Sequence, residues 1–243
     1  MLSCRIFLVC SGTHRQFFRE SASRMDKNQL AVKEMQEGDL EAAAKLLNEA
    51  IEENPQDPVA YTNFGNLLAA VKEEDKALRF FNKAIALDGE TAAAHYGKGN
   101  IFFNQDDFDK AIDAYQTALA QGLQQADVYY MLGFSYYQKG DMSRALPSLQ
   151  RSAELNPEDV DALFYYALTL AQLELVDQAV EAFEDVLKVD PHHADSFFNL
   201  GVAYAYKEQG EKAIEMFDKA LAIQPDHVLS HNGKRQIEEQ LKQ

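Results

Sequence analysis

Apolar side chains in this chain recur with a helical period rather than an alternating one. Between Ala194 and His227, Phe197, Leu200, Gly201 and Tyr204 stand at i, i+3, i+4 and i+7, and Ala213, Phe217 and Ala220 resume the spacing after a break. The two stripes predict two amphipathic helices. Gly210 is expected to supply the flexible turn between them, and Pro225 to stop the second, because its ring blocks the preceding turn. The same unit begins again, at one constant interval toward the N-terminus, at Val160, Ala126, Ala92, Pro58 and Arg24. Pro55, Pro157, Pro191 and Pro225 keep that phase, the first two three periods apart, with Gly89 and Leu123 in the two remaining places. One small residue returns six times, as Ala43, Ala77, Ala111, Ala145, Ala179 and Ala213. Four positions after each comes Leu47, Phe81, Tyr115, Leu149, Phe183 or Phe217, while the first helices carry Ala31, Gly65, Gly99, Gly133, Ala167 and Gly201.

The order of large aromatic, Leu-Gly, Tyr, Ala, Phe, Ala and Pro within each period resembles the tetratricopeptide repeat, a unit of about 34 residues, most closely in the copy at 194–227. The physics agrees with the resemblance. Gly201 and Ala213 leave room where two helices cross, bulky Phe197, Tyr204 and Phe217 fill the gaps, and a helix of about 14 residues is marginal in water until a neighbour covers its stripe. The implied fold is all-α: a right-handed superhelical solenoid of six helix-turn-helix repeats at 24–57, 58–91, 92–125, 126–159, 160–193 and 194–227, plus a C-terminal solvating helix over 228–243. Lys27 and Glu34 replace large side chains in the first repeat, as suits a terminal cap, and His231, Lys234, Arg235 and Glu238 do so after Pro225. The chain looks most like small proteins of Gram-positive bacteria made only of these repeats.

Residues 1–23 share no phase with the repeats. Their apolar run, Ile6 to Cys10, is five residues, short of the 7–15 that a secretory signal needs. The stretch reads as a tail, disordered or upstream of a start at Met25. Both cysteines, Cys4 and Cys10, fall within it, so the repeats carry neither a disulfide nor a thiolate metal site. No apolar run is long enough for a transmembrane helix, and a cytoplasmic protein without membrane attachment is expected.

Charge narrows the partners. The formal net charge is −16, from 23 Lys+Arg against 39 Asp+Glu, which repels nucleic-acid phosphate. Catalytic groups are scarce: His192 and His193 stand together after Pro191 without further ligands, which reads as a solvated turn rather than a metal site. Gly97-Lys98-Gly99 falls inside a first helix and follows no strand, so it reads as packing and not a phosphate loop. No cofactor, metal or catalytic residue is expected.

In tetratricopeptide proteins the first helices line a concave groove through positions 2, 5, 6, 9, 12 and 13 of the unit. By that resemblance the groove here consists of Asn63 and Asn66; Tyr96, Asn100, Phe103 and Asn104; Asp127, Tyr130, Met131, Phe134, Tyr137 and Gln138; Asp161, Phe164, Tyr165 and Gln172; and Asp195, Phe198, Asn199 and Tyr206. None is basic, which excludes the clamp that holds a C-terminal carboxylate with Lys and Arg. The second members of Tyr129-Tyr130 and Phe197-Phe198 exceed what the repeat core requires, and a row of large apolar groups facing solvent marks a binding surface. Asn amides beside them both donate and accept. The expected function is a non-catalytic protein–protein interaction scaffold that holds an extended or helical peptide, apolar with basic residues. A dedicated chaperone for an exported or unstable partner is the alternative, and an enzyme a distant third.

Overall fold

A computed structural model describes residues 26–242; the 1–23 tail, and with it the expectation that it is a separate element, lies outside them. Among the described residues the chain is all α-helix and turn. The helices are α1 (Lys27–Glu37), α2 (Leu40–Glu53), α3 (Pro58–Ala70), α4 (Glu74–Leu87), α5 (Ala92–Asn104), α6 (Phe108–Ala120), α7 (Ala126–Gln138), α8 (Met142–Leu155), α9 (Val160–Gln172), α10 (Val176–Val189), α11 (Ala194–Tyr206), α12 (Gly210–Ile223) and α13 (Val228–Gln240). From α3 onward the odd-numbered helices begin in strict phase, at 58, 92, 126, 160, 194 and 228.

Local chemistry sets the ends. Asp26, Asp39, Asp57, Asp107, Asp141 and Asp159 precede their helices and accept a first-turn backbone N–H through the side-chain carboxylate. In α11 and α13 a histidine does the same work: His193 Nδ1 accepts from Ser196 N–H and His227 Nδ1 from Ser230 N–H, each at 3.1 Å. His193 is therefore a helix cap, where the sequence suggests a solvated turn. The bends between paired helices differ from expectation too. Gly210 is the first residue of α12, and a methyl group there would meet Ile237 and Leu241 at 3.2–3.3 Å. The left-handed residue of that bend is Glu208, at φ 58°, and the equivalent residues one period apart are Gly38, Lys72, Asp106, Gly140 and Glu174.

The chain forms two compact units, residues up to Gly97 and residues from Lys98 onward. In the first, α1 packs on α2 and α3, α2 on α3, and α3 on α4. Ala31, Ala43, Leu47 and Leu67 form its core beneath Met35, Leu46 and Phe64. Phe81 of α4 is fully buried, and a Cβ added to Gly65 or Gly97 would come within 2.5 and 2.4 Å of its ring. Only glycine admits the ring at both places. Lys27 reaches from α1 to Glu49 at 2.7 Å and Glu53 at 2.8 Å on α2, so an ion-pair set joins the first two described helices.

In the second unit each helix from α6 touches its successor, and α7–α9 and α11–α13 meet as well. Its buried centre alternates Ala with large groups: Ala167, Leu170, Ala179, Ala182 and Leu200 surround Phe183, and Tyr115, Leu149 and Phe217 take the same place in other pairs. Truncating such a side chain to Ala costs roughly 3–5 kcal/mol. At Gly133 an added Cβ would lie 2.9 Å from the backbone nitrogen of Leu149, which cannot step aside, so this crossing is the least tolerant of a larger residue. Buried hydroxyls are satisfied: Ser152 Oγ donates to the Ala126 carbonyl at 2.9 Å, and Ser135 and Thr169 bond back within their helices.

Candidate functional site

The odd-numbered helices of the second unit bring six of the singled-out rings into one cluster. Phe134 of α7 is its hub, with ring centroids 5.4 Å from Phe103, 5.5 Å from Tyr130, 6.3 Å from Tyr137 and 4.4 Å from Tyr165. Tyr165 of α9 closes the ring set, edge-on to Tyr137 at 5.3 Å and to Phe164 at 5.9 Å. Tyr130, Phe134 and Tyr137 share a helical face because they stand at i, i+4 and i+7, and all are half-buried. Gln172 Nε2 donates to the Tyr137 hydroxyl at 3.0 Å, a bond that ties the far end of α9 to α7.

Burial, with the Asp161 carboxylate as the next cause, pushes the Tyr130 phenol far above its ordinary range. The Tyr165 hydroxyl is raised for the same two reasons, and burial with Tyr165 as neighbour raises Tyr137. The three phenols are half-buried, and the Asp161 carboxylate that acts on Tyr130 and Tyr165 is exposed. Asp127, Asp161 and Asp195 are all exposed, and the Asp195 carboxylate lies 3.1 Å from the His227 ring nitrogen. The rings and carboxylates of this face can support stacking, apolar contact and attraction for cations.

Other singled-out residues have different surroundings. Phe198 is drawn inward onto the buried Phe217 ring at 5.9 Å and His227 at 5.3 Å, and Phe164 similarly meets Phe183 and His193. Phe198, expected to exceed core needs, is thus half-buried, with Phe217 of α12 as a ring neighbour. Phe197 lies on the other side of α11 with Lys219 over its face. Asn100 Oδ1 accepts from the buried Tyr115 hydroxyl at 2.8 Å, and Asn199 Nδ2 donates to the Asp195 carbonyl at 2.8 Å. Asn104 and Gln138 are exposed, Met131 is half-buried, and Tyr206 is 66% exposed. In the first unit, Asn63 and Tyr96 are half-buried and Asn66 is exposed. Sequence reasoning passed over Ala171 and Val202 because small and aliphatic side chains carry no chemistry of their own. The available signal was Ala171 standing where earlier repeats place Phe103 and Tyr137.

Tetratricopeptide repeat profiles match residues 34–101, 130–181 and 194–227, and a TPR repeat profile matches residues 99–140. A solved structure of YrrB, described as a TPR protein with an unusual peptide-binding site, is 44% identical, with a TM-score of 0.77 over 79% of this chain and 99% of that one. The curated TPR repeat-containing protein YrrB of Bacillus subtilis (strain 168) aligns at 56% identity over 39 residues, 16% of this chain and about a fifth (19%) of the relative's length. At 18% identity, PilF of Pseudomonas aeruginosa shares the fold alone, with a TM-score of 0.71 over 91% of this chain and 99% of that one. Helix pairs recurring in strict phase, small residues at each crossing and a like-built relative matched along nearly its whole length identify this chain as a member of the tetratricopeptide repeat family.

Proposed function

We propose that this protein is a non-catalytic interaction scaffold that holds a peptide segment of another protein, apolar with basic residues, on the face of its first helices. The observation that carries the reading is the Phe103–Tyr130–Phe134–Tyr137–Tyr165 cluster, half-buried and flanked by Asp127 and Asp161. Aliphatic, aromatic and Arg side chains are stabilised on such rings, and the carboxylates select Lys or Arg beside them. Asn63, Asn66 and Tyr96 are the corresponding positions of the first unit, and Asn100, Asn104, Met131, Phe164, Asp195, Phe198, Asn199 and Tyr206 those of the second. Affinity of roughly micromolar order follows from a single moderate interface after ordering costs. The test is calorimetry with a basic–apolar peptide and its Glu-substituted twin, on the parent and on a Tyr130→Ala, Phe134→Ala variant. The basic peptide should bind the parent at least tenfold better than its twin, and the variant should lose that preference. Equal affinity in all four combinations, or tighter binding of the acidic twin, refutes the assignment.

A further inference from the structure

Next to the ring cluster, α9, α10 and α11 leave an open-mouthed cleft of ≈ 100 Å³. Its walls are the side chains of Ala171, Val176, Ala179, Val202 and Ala203. The gap exists because Ala171 occupies the repeat position that Phe103 and Tyr137 fill with rings in the two preceding repeats. Val202 is 45% exposed and Tyr206 66% exposed at its border, an apolar patch that a partner would cover. Glu174 is the charged member of the lining, while the neighbouring Asp177 is already paired with Lys207. Glu174 and the Asn199 amide are thus the polar members of a mainly apolar lining.

We infer that this cleft is a specificity pocket for one aliphatic side chain, Leu, Ile or Met, of a peptide that places a basic residue against Glu174; the inference rests on the peptide-binding reading above. Size selects the side chain. An engineered protein cavity of about 150 Å³ admits benzene, and this cleft is smaller, so it favours an aliphatic group over a whole aromatic ring. Spacing follows from the helix that joins the two features. Tyr165 of the ring cluster and Ala171 of the cleft are six residues apart on α9, about 9 Å along its axis at 1.5 Å per residue. A ligand in the polyproline II conformation covers that distance in three residues at about 3.1 Å each, and its three-residue turn brings side chains i and i+3 to one face. The ligand pattern is thus an aromatic or apolar residue on the rings and an aliphatic one three positions later, with Lys or Arg adjoining.

The test uses the octapeptide Lys-Arg-Phe-Ala-Ala-Leu-Lys-Arg, a twin with Ala in place of Leu, and a second twin with Phe in that place. Titrations are run on the full chain and on Val202→Thr, Ala171→Leu and Tyr130→Ala, Phe134→Ala variants, with melting curves confirming that each remains folded. The Leu peptide should bind the parent on the order of tenfold tighter than either twin, because a buried isobutyl group is lost in one and excluded in the other. Val202→Thr, which makes the wall polar, and Ala171→Leu, which fills the cleft, should each erase that difference. Equal affinity for Leu and Ala peptides on the parent, with the aromatic variant still weakening both, overturns the pocket and leaves the groove reading standing. A Leu preference that survives both cleft variants also overturns the pocket. Absence of binding by all three peptides overturns both readings.

Discussion

The residue that turns the chain between paired helices has a left-handed backbone at every repeat, yet glycine occupies it only at Gly38 and Gly140. Lys72, Asp106, Glu174 and Glu208 adopt φ of 57–63° against the steric preference of L-residues. For Lys and Glu the cost is roughly 1–2 kcal/mol each. Glu208→Gly should therefore stabilise the protein by about 0.5–1 kcal/mol, the strain relieved less the larger entropy glycine loses on folding. The readout is a higher Tm, and an unchanged or lower Tm would show that the Glu208 side chain makes a compensating contact. None of this was legible in the sequence, which draws the eye to Gly210 instead; a bend two residues earlier is fixed by the hydrogen bonds of Glu208 and Gln209 N–H to the Ala205 and Tyr204 carbonyls, whatever side chain stands there. The core small residues were legible for the opposite reason. At Ala43, Ala111, Ala179 and Gly201 the side chain itself is the constraint, so the composition at that position cannot drift.

Helix ends divide by the chemistry of the capping group. Asp107 and Asp141 are each bonded by a cationic side chain, Lys110 and Arg144, and then by that residue's backbone N–H, which holds both carboxyls below their ordinary 3.8. A lowered folded value means that the stabilisation is fully present above about pH 4 and disappears as the pH falls through the lowered value. Asp141→Ala should thus depress Tm at pH 7 and lose that effect progressively below pH 4; a constant difference across the range would show that the cap does not depend on its charge. Aspartates ahead of a helix can be read directly from the sequence. Histidine caps cannot, because His193 and His227 act through a ring nitrogen that also meets the hydroxyls of Ser196 and Ser230, a geometry that single-residue preferences do not encode. Pro147 sits inside α8, against the rule that proline ends helices. It is exposed on the first half of that helix, and the packing of Ala145 and Leu149 on either side holds the turn. At the candidate site, the family resemblance gave Tyr130, Phe134 and Tyr137 as groove positions, but the inward turn of Phe198 depended on Phe217 and His227, whose approach follows from three-dimensional packing.

On the scale of the molecule, 39 acidic against 23 basic residues make encounter with a cationic segment faster at low salt, in the same sense as the carboxylates around the ring cluster. Contacts run between helices adjacent or next-but-one in each unit, so local damage stays local. The caps add a consequence of another kind. The residue that starts each odd-numbered helix from α9 onward is the last of the preceding repeat, Asp159 for α9, His193 for α11 and His227 for α13, and each can serve any of the three. Excising 160–193 would join Asp159 to Ala194, handing the α11 N-terminus a ready aspartate cap and setting Ser152 and Ala153 where Val186 and Leu187 now lie. The shortened protein should fold with the same helical content per residue and a lower Tm, measurable by circular dichroism. Excision of 160–176, half a unit, would instead set one second helix after another and should not yield a cooperative melt. A chain punctuated in this way can gain or lose length by whole units, with each join already equipped with the group that begins the next helix.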